Sequence, residues 1–287
     1  MQLILIGGAQ RSGTTLLQTL LANALNAPLL PEAHIFCDIL VAYNRAKKFG
    51  HKTRFFYATD ADLSFFFQSV AERHIADIIA RTGATSALVL KDPNLIQVLD
   101  EASALFPQCI RIVCLRDPRD IAASFVQIGQ RQPREGKPGK YGKRDIGFIA
   151  KKVLAAYSPW MNSTQSANAL VIRYEDVASE PRGALQALAR GAGLELSLDR
   201  IDNPVWLAAD ARHDTSWITE FEGQKPSPEG IGSFTRVLHG DEVALVQQIC
   251  EPIMKRFGYR PVQSPLTKFR AKFRDRLMRH FKAERAR

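Results

Sequence analysis

Leu3-Ile4-Leu5-Ile6-Gly7-Gly8-Ala9-Gln10-Arg11-Ser12-Gly13-Thr14-Thr15 decides how the rest of the chain is read. Four apolar residues make a buried strand, a glycine-bounded loop follows, and Thr14 opens a helix predicted over 14–25. A strand, loop and helix in this order aim backbone N–H groups and the positive end of a helix dipole at one point, which makes a phosphate cradle. Counted from Gly8, the spacing follows G-x-x-x-x-G-K-[ST], with Gly8, Gly13 and Thr15 in place. Thr14 stands where that pattern's lysine would reach the outer phosphates of a triphosphate, and the loop's cation is Arg11. The cradle therefore predicts a nucleotide whose transferable group is not a γ-phosphate.

Outward from the cradle, strand-like runs at 3–6, 87–90, 110–115 and 170–173 alternate with helical stretches at 14–25, 60–81, 94–106, 118–130, 144–161, 181–192 and 241–257. This alternation predicts an α/β fold with a central parallel sheet flanked by helices in three layers. Pro118 and Pro181 suit first helical turns, and Gly191 and Gly258 suit helix stops. At 287 residues and 46% hydrophobic, the chain is read as one such domain over 1–262, followed by a basic amphipathic helix over 263–287.

The net charge of +10 is unevenly placed. Residues 266–287 hold nine Lys or Arg against Asp275 and Glu284, so this tail carries +7 and the rest +3. Phe269, Phe273, Leu277 and Phe281 recur every four residues within it. Such a helix suits an anionic membrane surface, an anionic glycan or docking on its own domain. A body so near neutrality argues against a nucleic-acid binder. A second basic stretch, Arg131 to Arg144, lies in a Gly/Pro/Lys loop. Cys37, Cys109, Cys114 and Cys250 show no metal-ligand spacing, and reduced, buried thiols are expected. No apolar window is long enough for a transmembrane helix, and the loop at residue 7 leaves no room for a leader. The expected place is the cytoplasm, with peripheral attachment at the inner membrane surface through the tail.

Ile112-Val113-Cys114-Leu115-Arg116-Asp117-Pro118-Arg119-Asp120 is the second informative stretch. A strand ends in a corner with two arginines, and Ser124 follows on the next helix. A strand-end arginine and a hydroxyl one helix later can converge on one phosphate. The alternative is a structural corner in which Arg116 pairs with Asp117 or Asp120.

Arg11 to Leu16, Arg116 to Asp120 and Ser124 together resemble the sulfotransferase superfamily, whose P-loop-like α/β fold binds 3′-phosphoadenosine-5′-phosphosulfate (PAPS). Val171-Ile172-Arg173-Tyr174-Glu175-Asp176, Ile231-Gly232-Ser233-Phe234 and Gly258-Tyr259 resemble its later motifs, in the same order. The resemblance implies that Arg11, Ser12, Gly13, Thr14 and Thr15 cradle the 5′-phosphosulfate, that Arg116 and Ser124 hold the 3′-phosphate, and that Tyr174 closes the nucleotide pocket. Ser233 stands where many relatives carry arginine, with Arg236 nearby as a substitute. Lys91-Asp92-Pro93 puts proline where small-molecule sulfotransferases carry a basic-site histidine, so that base is excluded. The protein-tyrosine sulfotransferases are more similar here: R-S-G-T-T, a glutamate 21 residues after the arginine, then K-D-P. Glu32 is thereby implied as the base, with Lys91 and Arg11 stabilising charge on the transferring group. Glu32 could instead cap the next helix, and His34 stands close enough to compete as base. No metal is expected. The implied reaction is sulfuryl transfer to a hydroxyl of a carbohydrate, lipid-linked or other small acceptor. Protein tyrosine as acceptor, a P-loop kinase and a non-catalytic binder are the rivals.

Overall fold

The computed structural model describes residues 1–132, 141–164, 168–207 and 223–262. Residues 133–140 of the Gly/Pro/Lys loop and the basic helix expected over 263–287 lie outside the described residues. Packing divides the chain into two compact units: residues 1–116 with 155–228, and residues 117–154 with those from 229 onward.

The first unit holds a sheet of four parallel strands, β1 (Gln2–Gly8), β2 (Ala87–Lys91), β3 (Ile110–Leu115) and β4 (Leu170–Arg173), in the order β2-β1-β3-β4. Ile6 pairs with Lys91 on one side and Ile112 on the other, and Gly8 pairs with Cys114. Side chains alternate between two buried faces, which is why the strands read as continuous apolar runs. Ile4, Ile6, Val89, Ile112 and Cys114 face one core with α1 (Thr14–Leu25) and α9 (Pro181–Ala192). Leu5, Leu88 and Leu90 face a second core with α2 (His34–Lys48), α4 (Asp60–Thr82) and α5 (Leu99–Leu105). Two short helices also belong to this unit, α3 (Gly50–Thr53) and α8 (Tyr174–Ser179). From β1 the chain runs to β2 on one side and later to β3 on the other. The loop after β1 thus opens at the point where strand order reverses, the position at which open α/β sheets bind ligands.

The second unit gathers α6 (Pro118–Arg131), α10 (Phe234–Val237), α11 (Gly240–Ile249) and α12 (Glu251–Phe257). Helix α7 (Ile146–Asn162) starts in this unit and ends in the first. Asp117 accepts from the Arg119 backbone N–H and from its guanidinium at 2.6 Å, closing the turn into α6. Arg144 grips both oxygens of Glu242 at 2.8 Å.

The sequence expectations require four adjustments. Helix α9 runs through Gly191 and stops at Gly193, whose φ of 64° makes it the left-handed cap. The segment expected as one helix over 94–106 is a 3₁₀ turn, Pro93–Gln97, followed by α5, because Asp92 caps the turn by accepting from the Asn94 N–H. The helix expected over 241–257 breaks at Cys250 ahead of Pro252, which cannot donate into a continuous ladder. Tyr174 and the acidic residues after it, for which no element was expected, form α8 directly after β4. Gly258 does cap its helix, with φ 73°.

Candidate active site

The cradle is shaped by three glycines with no room for a side chain. A Cβ on Gly7 would meet the Ile96 nitrogen at 2.4 Å, and one on Gly8 would meet the Cys114 carbonyl oxygen at 2.6 Å. Gly13 has φ 93° and lies against the Tyr174 ring, where a Cβ would approach Cδ2 to 2.4 Å. Gly13 is also the N-cap of α1 and contributes no side-chain cap, so the first-turn amides have no side-chain acceptor. Arg11 takes a left-handed backbone, φ 73°, which turns the loop between Gly8 and Gly13. Ser12 and Thr14 are buried and Thr15 is half-buried. The Ser12 N–H closes a turn onto the Ala9 carbonyl at 3.0 Å.

Arg116, at the end of β3, donates from Nη1 to the Arg11 carbonyl at 3.0 Å and stacks on Tyr174, 4.0 Å from the ring centroid. Arg11, Gly13, Arg116 and Tyr174 therefore meet in one place. Beneath them the buried Tyr157 hydroxyl donates to the Cys114 carbonyl at 3.0 Å and fixes the strand end that carries Arg116. Burial pushes the Tyr157 hydroxyl well above its ordinary pKa, so it stays a donor. Ser124 and Ser233 belong to the second unit, both buried. Ser233 donates to Asp120, which also accepts from the Gly232 and Phe234 N–H groups and so holds the turn before α10. Arg236 donates to the Glu229 carbonyl.

The other half of the site rests on the end of β2. Lys91 Nζ donates to Glu32 Oε1 at 2.8 Å; the lysine side chain is 4% exposed and the glutamate's 39%. The approach of the two is fixed by backbone: the Ala33 N–H donates to the Lys91 carbonyl at 2.8 Å, and the Asp92 N–H to the Ile6 carbonyl at 3.2 Å. Gln18 of α1 ties the Leu30 carbonyl to the same region at 3.1 Å. Glu32 does not cap α2, whose N-cap is Ala33 with no side-chain bond. It is held instead by Lys91, and His34 Nε2 lies 3.3 Å from its Oε2. His34 Nδ1 in turn lies 2.5 Å from Oδ2 of the buried Asp92, an oxygen that has no better-aligned hydrogen bond. The sequence shows no metal-ligand spacing, yet folding brings oxygen and nitrogen atoms of Glu32, His34 and Asp92 within 4.8 Å of one another. The Lys91 ammonium on Glu32 opposes a dication there, and the imidazole is already taken up between the two carboxylates. Sequence reasoning weighed His34 only as a rival base. Its pairing with Asp92 joins residues 58 positions apart and could not be read from spacing.

A cavity of about 390 Å³ opens beside this group, lined by His34, Asp92, Asp38, Asn44 and Lys48 among others, a size that fits a small organic ligand. Cys37 borders it as an inert thiol, pushed up to about 12 by burial and then by Asp92 and Asp38.

Residues 3–198 match the model of the sulfotransferase family. The chain belongs to this family of sulfuryl-transferring enzymes. It is 28% identical over 171 residues to Carbohydrate sulfotransferase 3 of Tetronarce californica, an alignment covering 54% of this chain and 37% of that protein. It is 24% identical over 270 residues to Protein-tyrosine sulfotransferase 2 of Gallus gallus, covering 92% of this chain and 71% of that one. The chain thus spans little more than a third of the first relative's length. Among solved structures, the sulfotransferase domain of the Synechococcus PCC 7002 olefin synthase superposes with a TM-score of 0.53 at 16% identity, over 87% of this chain and 94% of that one. The sulfotransferase domain of the curacin biosynthetic pathway gives 0.51 at 17%, over 91% and 99%. At such identities these two show the fold alone, and the fold they show is the P-loop-like α/β architecture.

Proposed function

We propose that this protein transfers a sulfuryl group from PAPS to an acceptor hydroxyl, with Glu32 as general base and Arg11 and Lys91 as the cations. The observation that carries the reading is the 2.8 Å contact between Lys91 and Glu32 at the strand end next to a phosphate cradle without a P-loop lysine. The cradle residues suit the donor: Gly13 opens α1 without a side-chain cap on its first turn, and the Arg116 guanidinium lies 4.0 Å from the Tyr174 ring centroid beside it. Arg11 to Thr15 would hold the 5′-phosphosulfate and Arg116 the 3′-phosphate, with Ser124 assigned by resemblance alone.

When bound, the donor supplies a sulfuryl group on a good leaving group, the 5′-phosphate of an adenosine bisphosphate. As the acceptor oxygen bonds to sulfur and the sulfur–phosphate oxygen bond breaks, charge spreads over the equatorial oxygens. Cations fixed in advance lower that barrier without reorganisation. Glu32 takes the acceptor's proton, a contribution of about 10²–10⁴-fold. Lys91 holds Oε1 of the carboxylate in place before the acceptor arrives. The acceptor class we favour is a carbohydrate, lipid-linked or other small molecule, supported by the small polar cavity beside Glu32. Protein tyrosine, the acceptor named for one relative, is the second reading, supported by the Glu32 and Lys91 positions. A cytoplasmic site of action is part of this proposal and is checked by cell fractionation. No helix among the described residues is long and apolar enough to cross a membrane.

Calorimetric titration with 3′-phosphoadenosine-5′-phosphate, beside ADP with magnesium, tests the donor. Tight bisphosphate binding is expected, weaker ADP binding, and a loss of at least about tenfold, ~1.4 kcal/mol, in Arg116→Ala. Equal affinity for ADP would return the chain to generic nucleotide binding.

A further inference from the structure

Residues 45–56 read Arg45-Ala46-Lys47-Lys48-Phe49-Gly50-His51-Lys52-Thr53-Arg54-Phe55-Phe56, with five Lys or Arg and no carboxylate. They form the end of α2, the single turn of α3 and the approach to α4. The core beneath is already filled: Leu40 and Tyr43 of α2 pack with Leu63, Ala71 and Ile75 of α4. Tyr57 and Phe67 pack against its rim, and three other aromatics are left outside. Phe55 is 87% exposed, Phe56 76% and Phe65 72%. Phe55 and Phe56 stand edge to face at 5.2 Å, and Tyr57 continues the patch by lying 5.3 Å from Phe66. The same stretch carries the cations: Arg45 and Lys52 flank the Phe49 ring at 6.0 and 5.7 Å. Lys47 pairs with Glu101 at 3.7 Å and Lys48 also acts on that carboxylate, whereas Arg45, Lys52 and Arg54 have no ion-pair partner among the described residues.

Water alone would not favour large apolar side chains so exposed, and a folded core has no use for them. Exposed aromatics in a stretch with Arg45, Lys52 and Arg54 and no carboxylate match one partner closely. In an anionic bilayer the rings reach the headgroup boundary while the cations meet phosphate. We infer that this edge docks the protein on an anionic lipid surface, with Phe55 and Phe56 inserted and Arg45, Lys52 and Arg54 on the headgroups. The inference is separate from the sulfuryl-transfer reading and from the basic tail. The same helix, α2, carries His34 and lines the cavity beside Glu32, so docking would bring that cavity close to the surface of the bilayer.

The test is co-sedimentation of the full chain with vesicles of phosphatidylcholine alone and with about 30% phosphatidylglycerol, at about 0.1 M salt. Binding to the anionic vesicles only is expected. Phe55→Ser with Phe56→Ser, and separately Lys52→Glu with Arg54→Glu, are each expected to weaken it by at least about tenfold. Circular dichroism and bisphosphate affinity should stay unchanged in both. A Phe55→Trp variant should gain fluorescence quenching by brominated-chain lipids. Three results would each overturn the inference: wild type that does not bind, the phenylalanine variant binding as tightly as wild type, or a wild-type dimer that this variant breaks without any vesicle binding. The second would hand the role to another segment, and the third would make the edge a protein interface.

Discussion

Gly13→Ala puts the geometry of the cradle to a direct test. The backbone at Gly13 has φ 93° and ψ 17°, and a side chain there costs roughly 1–2 kcal/mol through its clash with the carbonyl. The new Cβ would also fall 2.4 Å from Tyr174 Cδ2 and 3.2 and 3.3 Å from Cε2 and Cγ. Relieving that overlap by shifting the ring adds roughly 1–3 kcal/mol. Gly83→Ala supplies the control, since Gly83 has φ 67° but nothing within 4 Å of its added Cβ. It carries the backbone cost alone. Urea denaturation of both variants should show Gly13→Ala the less stable by about 1–3 kcal/mol, with unchanged m-values. The ring that must move also carries Arg116, so bisphosphate affinity should fall at least about tenfold in Gly13→Ala and stay constant in Gly83→Ala. Two variants equal in stability within about 0.5 kcal/mol would refute the close approach of Tyr174 to the loop.

Other outcomes follow from the same coordinates. Glu32→Ala leaves the ammonium of a lysine 4% exposed without its carboxylate; because Glu32 itself is 39% exposed and water can take its place, the cost is about 1–3 kcal/mol. Lys91→Met removes the buried charge and should cost less, which calorimetric Tm values would show; the opposite order would mean that Lys91 is hydrated. Burial holds the thiols of Cys37, Cys114 and Cys250 up at about 12 and that of Cys109 at about 11, so disulfide reagents at pH 8 should modify four thiols in denaturant and none in the native protein. Glu242 is nearly buried, which alone would raise its pKa, but the Arg144 hydrogen bonds and the His239 N–H prevail and hold it below the ordinary 4.5. Its stabilisation is therefore complete above that value and is lost as pH falls through the lower folded one. Glu242→Gln should flatten this part of the acid-unfolding curve measured by circular dichroism, and a curve identical to wild type would remove the pair from the stability of α11.

Much of the scaffold was readable from local signals. β3, β4, α1 and α9 have the bounds expected from apolar runs and proline starts, because both faces of a parallel sheet are buried and proline at a first turn sacrifices no hydrogen bond. The failures were local as well. Gly191 looked like a helix stop, but Gly193 is two residues away and is the one whose backbone turns left-handed, a choice made by where the chain must go next. Helix α2 was given no bounds in advance, only weighed as the helix that Glu32 could cap. Its sequence, with apolar, basic and polar residues closely mixed, acquires a buried face only once α4 and α5 are packed against it.

The site divides in the same way. The cradle was fixed by the sequence between Gly8 and Thr15, since its chemistry comes from backbone conformation that glycine spacing alone dictates. The contact of Lys91 with Glu32, the approach of His34 to Asp92, and the packing of Arg116 on Tyr174 join residues 58 or more positions apart, as with the 59 between Glu32 and Lys91. Those pairings depend on β1 and β2 being parallel neighbours and on β3 bringing its end beside the same loop. Only the assembled sheet determines that, because a side chain's partner across space is set by strand order and register rather than by anything its neighbours in sequence can specify.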